Sequence, residues 1–254
     1  MRVPYLAALC LAAAPLAAWA DAAPRPNVLW ICADDHAPYV CGAYGNKQVR
    51  TPNLDKLAAS GVRFDRAYCN SPVCTASRQS FLTGRYPRSL GVTLLKTALP
   101  AGTPTLATML RAAGYDTAAF GKMHFNSNLP HGFDLRLDLP EHRKHLAAKK
   151  RQPLPEGVAV QPPWRPFQDP AAVWLNADCR PTGLPVESMQ STFFVDRALE
   201  YLGRHGHGDR PFALIVSFYD PHSPFHFPDG WDRRFRPEEF PVPPVPERDR
   251  QEQP

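Results

Sequence analysis

Two nearly unbroken apolar runs, Pro26 to Ala33 and Phe212 to Phe218, most restrict what this 254-residue chain can fold into. A segment that is apolar at successive positions has no polar face to turn toward water. It reads as a central parallel strand covered by helices on both sides. The intervening sequence supplies the helices. Thr51-Pro52-Asn53-Leu54-Asp55-Lys56-Leu57 offers an N-cap, a proline at the first helical position and helical spacing, and Gly61 closes it. Val62 to Tyr68 alternates like a short strand, Thr75 opens a short helix that Gly84 ends, and Thr103 to Ala113 forms a helix closed by Gly114. A strand through Thr117 to Phe120 and a helix over Ser188 to Leu202 follow. Strands alternating with helices predict an α/β fold, a doubly wound and mainly parallel sheet flanked by helices.

Residues 1–20 have the layout of an export signal: Arg2, an apolar core from Leu6 to Ala18, and the small-x-small site Ala18-Trp19-Ala20. The apolar run is shorter than the ~20 residues a bilayer needs, so no stable membrane anchor is expected and the protein is read as periplasmic or secreted. Residues 21–236 then form the main domain, Leu139 to Pro185 a Pro-rich basic insertion near the mouth of the site, and 237–254 a Pro-rich charged tail. The net charge of +5 gives a weak bias toward anionic substrates, and no motif supports nucleic-acid binding. Past the signal, five cysteines remain, Cys32, Cys41, Cys69, Cys74 and Cys179, an odd number for an oxidising compartment and without Cys-x-x-Cys zinc spacing.

The chemistry-bearing residues sit at the ends of these elements. Asp34-Asp35 follows the first apolar run, at the end of a strand where open α/β sheets place their ligand crevice. Adjacent carboxylates there suit a hard cation such as Ca²⁺ or Mg²⁺, or equally a solvated or capping turn. Cys74 stands at a helix start, where free N–H groups and the helix dipole favour an anion, with Arg78 one turn on along the same face. It reads as an anion-binding nucleophile or as a buried structural cysteine. Lys122 and His124 are spaced for one face of an extended strand.

Four stretches in order resemble the type I, formylglycine-dependent sulfatases of the alkaline phosphatase-like superfamily. They are Pro26-Asn27 through Asp34-Asp35-His36 with Thr51-Pro52-Asn53, Cys74-Thr75-Ala76-Ser77-Arg78, Gly114-Tyr115 through Gly121-Lys122-Met123-His124, and Ser217-Phe218 through Pro221-His222-Ser223-Pro224. The third position of the cysteine motif is Ala76 where the family more often has proline, and Met123 replaces a tryptophan. The resemblance implies a formylglycine made from Cys74 by a maturation enzyme, and a divalent metal bound by Asp34, Asp35 and the residue at Cys74. It implies Cys74, Arg78 and His124 as catalytic residues and Lys122 and His222 as sulfate contacts. Substrates would be sulfated small molecules or polysaccharides. Phosphate or phosphonate ester hydrolysis, and a non-catalytic fragment, stay open. Family members run on into further metal and sulfate ligands, so the resemblance covers an N-terminal portion only, and a chain without the later strands is expected to expose apolar sheet surface.

Overall fold

The computed structural model describes residues 25–147, 149, 153, 156, 179–240 and 246–248. The predicted export signal, most of the basic insertion and most of the tail lie outside them.

In chain order the elements are strand β1 (Val28–Cys32), helices α1 (Pro52–Ser60), α2 (Cys74–Thr83), α3 (Pro87–Leu90) and α4 (Leu106–Ala112), and strands β2 (Asp116–Gly121) and β3 (Leu135–Leu137). There follow α5 (Leu139–Ala147), β4 (Cys179–Pro181), α6 (Gln190–His205), β5 (Phe212–Ser217) and β6 (Phe225–Phe227). Four strands form a parallel sheet in the order β1-β5-β2-β3, while β4 and β6 pair separately. The register sets Cys32, Ser217 and Gly121 side by side, so the three longest strands end level at one carboxyl edge.

Both faces of β2 and β5 are packed, which is the doubly wound arrangement. Ala118, Phe120, Leu214 and Val216 meet Phe193, Phe194, Ala198 and Tyr201 of α6 on one face. On the other, Ala119 and Ile215 meet Leu82 of α2, Ala107 of α4, and Met123, Phe125 and Phe133. Every residue of β5 is buried, as its uninterrupted apolar sequence requires.

Three expectations change. Among the described residues β1 is not central but at the edge of the sheet, and alternate residues Leu29 and Ile31 remain 48% and 56% exposed. An apolar run reports affinity for burial, not the number of faces that find cover. Val62 to Tyr68 forms no strand: Val62, Phe64 and Tyr68 are 80%, 69% and 88% exposed. Side chains tie it to the loop at residues 43–44 instead, Tyr44 Oη donating to Phe64 O at 2.9 Å and Arg63 Nη1 donating to Ala43 O at 2.6 Å. The start of the expected insertion is the regular helix α5, anchored by buried His142, whose Nε2 lies 3.1 Å from Ser188 O and whose ring packs 5.5 Å from that of Phe193.

Candidate active site

The level carboxyl ends of β1, β5 and β2 bring distant residues together. Asp34 follows β1, Lys122 follows β2, and Ser217 closes β5. Gly121 makes the convergence possible: its φ is +95°, and a Cβ there would stand 1.9 Å from Ser217 O. Without one, Lys122 N donates to Ser217 O at 2.8 Å, the chain turns out of the strand, and the Lys122 ammonium donates to Asp34 Oδ2. Asp34 is 6% and Lys122 3% exposed. Burial lowers the Lys122 pKa to about 8, Cys32 working weakly against it. The Asp34 carboxylate against its Nζ opposes that loss of charge.

Arg78 completes this knot from the helix α2. Its Nη2 reaches Asp34 Oδ1 at 3.1 Å, while Nη1 donates to both Lys122 O and Ser217 Oγ at 2.6 Å. Each end of the guanidinium therefore has a protein acceptor, and its role in the described structure is to lock α2 onto the strand ends. Cys74 is the first residue of α2, half-buried, with its thiol free. Next to it, Thr75 Oγ1 donates to Leu95 O at 2.5 Å and stands 3.4 Å from His124 Nδ1.

The expected strand through Lys122 and His124 ends at Gly121, and His124 has a φ of +55°. The two side chains diverge, Lys122 toward Asp34 and His124 toward the start of α2. Gln79 holds that turn by donating to His124 O at 2.9 Å and Thr97 O at 3.1 Å. His124 titrates well below a free imidazole, at about 4, because burial and then the charges of Lys122, Arg78 and His222 all oppose its protonation. It is neutral at pH 7. Beyond β5, His222 Nε2 lies 3.6 Å from Asp35 Oδ2, whose backbone φ is +57°. Tyr219 lies under Lys122, with Nζ 5.2 Å from the ring centroid, and its hydroxyl donates to Asp138 Oδ1 at 3.0 Å. Burial, and then the Asp138 charge, push the Tyr219 pKa far up, so that the hydroxyl stays a donor.

Ser217, Tyr219, Thr75 and Gln79 were not among the candidate site residues. Thr75, Ser217 and Tyr219 lie within the motif stretches, which is the signal that could have found them; Gln79, one residue past the cysteine motif, carries none.

The fit of a divalent cation follows from these contacts. Asp34 and Asp35 are carboxylates of the type hard cations take, but both oxygens of Asp34 already accept from cationic side chains. Among the described residues no three His, Cys, Asp or Glu side chains converge as a metal cluster. Against the ~6–8 oxygens that Ca²⁺ takes, the residues present do not fit the ion by themselves.

The sequence profile of the Sulfatase family matches residues 26–243. The chain belongs to the sulfatase family. Arylsulfatase A of Bos taurus is 34% identical over 227 residues, covering 82% of this chain and 44% of its own. The ulvan-active sulfatase of Formosa agariphila is 31% identical over 205 residues, covering 80% of this chain and 37% of its own. The crystal structure of the phosphonate monoester hydrolase of Agrobacterium radiobacter superposes with a TM-score of 0.64 at 28% identity, covering 86% of this chain and 45% of the other. The fold is thus the alkaline phosphatase-like one of this family, and the chain spans less than half the length of these relatives.

Proposed function

We propose that the protein is a sulfuric ester hydrolase whose nucleophile is built at Cys74. The observation that carries this reading is the convergence at one sheet edge of Asp34, Arg78, Lys122 and the start of α2, within a chain of the sulfatase family. Cys74 fits modification to formylglycine, being a free, half-buried thiol at the first position of a helix. That group, as its hydrate, supplies a hydroxyl able to attack sulfur and a second one for releasing the sulfate. The other roles belong to the chain. Lys122 and His222 hold the sulfate oxygens electrostatically. His124, neutral at pH 7, offers a hydrogen bond beside Thr75. Arg78 positions, fixing the start of α2 against the strand ends. Asp34 orients Lys122 and Arg78.

By the same reading the maturation enzyme is a partner, residues 1–20 direct export to the periplasm or beyond, and substrates are sulfated small molecules or polysaccharides. The ulvan-active relative favours the polysaccharide. Neutral His124 and a helix start serve phosphorus esters equally well, and the likeness to a phosphonate monoester hydrolase makes that the second reading.

The test is co-expression with a formylglycine-generating enzyme, mass spectrometry of the peptide containing Cys74, and turnover of p-nitrophenyl sulfate against phenyl phosphonate monoester. Aldehyde at position 74 and sulfate release abolished by Cys74→Ala are expected. Preference for the phosphonate would favour the second reading, and turnover indifferent to Cys74→Ala would overturn both.

A further inference from the structure

A groove of about 960 Å³ opens beside the candidate site, with His124 and Tyr219 in its wall and Asn126, Asn128, Arg136 and Arg143 farther along. Most of its charges are already committed. Arg136 donates to Ser127 O and Leu129 O, both at 2.9 Å, pairs with Asp138 at 3.2 Å, and lies 4.9 Å over the ring of Phe125. Asp138 accepts from Tyr219 and from Leu139 N, Glu141 accepts from Asp138 N at 2.8 Å, and Asp134 accepts from Thr117 N and Oγ1. Of the acids in the wall, Asp138 is paired with Arg136 and Asp134 with Arg111 at 3.7 Å, so that among the described residues only Glu141 lacks a cationic partner.

Two kinds of group remain for a ligand. Arg143, on α5, is exposed and makes no ion pair among the described residues. Asn126 spends its NH₂ on Leu95 O at 2.9 Å and Thr97 O at 3.0 Å, which leaves its carbonyl oxygen as an acceptor for a hydroxyl, and Asn128 is exposed. A volume near the top of the ~300–1,000 Å³ usual for ligand clefts exceeds what a single sulfate ester of a small alcohol fills. An unpaired guanidinium recognises an oxyanion by charge and by paired N–H donors.

We infer that this groove receives the part of the substrate beyond the scissile ester, a saccharide whose hydroxyls meet the asparagine side chains and whose second oxyanion, sulfate or carboxylate, is bound by Arg143. The inference rests on the sulfate-ester reading of the site and adds the substrate's second charge to it. Arg143 is then a specificity residue that touches neither the scissile group nor the nucleophile.

The experiment compares the matured wild-type protein with Arg143→Ala and Arg143→Glu on three esters. These are p-nitrophenyl sulfate, a disaccharide with one sulfate, and the same disaccharide carrying a further sulfate or a carboxylate. The expected result is a KM raised about tenfold by Arg143→Ala, and further by Arg143→Glu, on the doubly charged disaccharide alone. The aryl sulfate should change less than about twofold, since an exposed arginine outside the knot leaves the reacting groups in place. Equal effects on all three esters, or none on the doubly charged one, overturn the inference. Sulfate and carboxylate versions distinguish the two sources of the second charge. Calorimetric binding of the doubly charged disaccharide to Cys74→Ala protein, with and without Arg143→Ala, separates the two readings. Arg143-dependent binding with no hydrolysis of any ester by the parent protein sinks the function and keeps the groove. Aryl sulfate turnover with Arg143-independent binding does the reverse.

Discussion

Arg78 Nη2 meets Asp34 Oδ1 at 3.1 Å, with the two side chains only 5% and 7% exposed although they come from a helix and a strand end 44 residues apart. Removing Arg78 leaves Asp34 paired with Lys122 and Lys122 O with Ser217 Oγ, but it strips Asp34 Oδ1 of its donor, and a buried polar atom left unsatisfied costs about 1–3 kcal/mol. Arg78→Ala is therefore expected to lower the urea midpoint by a corresponding amount. Arg78→Lys should recover little of it, because a single ammonium cannot serve Asp34, Lys122 O and Ser217 Oγ together. A loss under about 1 kcal/mol for Arg78→Ala would show that the knot does not hold α2 to the sheet.

His124 gives the pH dependence. Its folded pKa of about 4 lies below the 6.5 of the unfolded chain, so between these values the unfolded state binds more protons. The stability that neutral His124 allows is complete above pH 6.5 and falls as the pH drops toward 4. Denaturant midpoints measured from pH 7.5 to 4 should decline more steeply for the wild type than for His124→Asn. Parallel profiles would mean that the imidazole is not buried against Lys122 and Arg78.

Gly121 and Gly84 both have positive φ, +95° and +66°, but only at Gly121 would a Cβ strike backbone, 1.9 Å from Ser217 O. Gly84→Ala is expected to cost about 1 kcal/mol, the conformational penalty alone. Gly121→Ala must in addition part β2 from β5, and should cost more than about 3 kcal/mol or abolish folding. Thermal melts of the two variants decide it, and equal shifts would refute the close approach.

Because both Asp34 oxygens are held by Arg78 and Lys122, millimolar Ca²⁺ or Mg²⁺ should leave the melting temperature of the 254-residue chain within about 1 °C of its value in chelator. A rise of several degrees would mean that the cation displaces Lys122 and finds ligands that the described residues do not assemble.

Glycines and uninterrupted apolar runs were legible. Phe212 to Ser217 is a buried strand because its first five residues are all apolar and none of them can face water, and Gly84 closes α2 because it takes the left-handed conformation the helix end needs. The order of motifs also led to the family, and it placed Asp34, Cys74, Lys122 and His222 at the ends of elements that do converge on one edge or stand beside it. The alternation of Val62 to Tyr68 misled, since a strand needs a partner for its backbone and period alone does not provide one. Extending the strand through Lys122 and His124 failed at Gly121, whose positive φ is a conformational choice and not a pattern.

By itself, then, the sequence determined the parallel α/β architecture, the family, and which residues lie at strand and helix ends, because hydrophobic period and cap chemistry are local properties. Only the tertiary structure decided that β1 lies at the edge of the sheet of described strands, that Arg78 spends its guanidinium on Asp34, Lys122 O and Ser217 Oγ, and that Tyr219 lies beneath Lys122. Those contacts join residues far apart in the chain, and their partners are chosen by how three strand ends and one helix fit together in space.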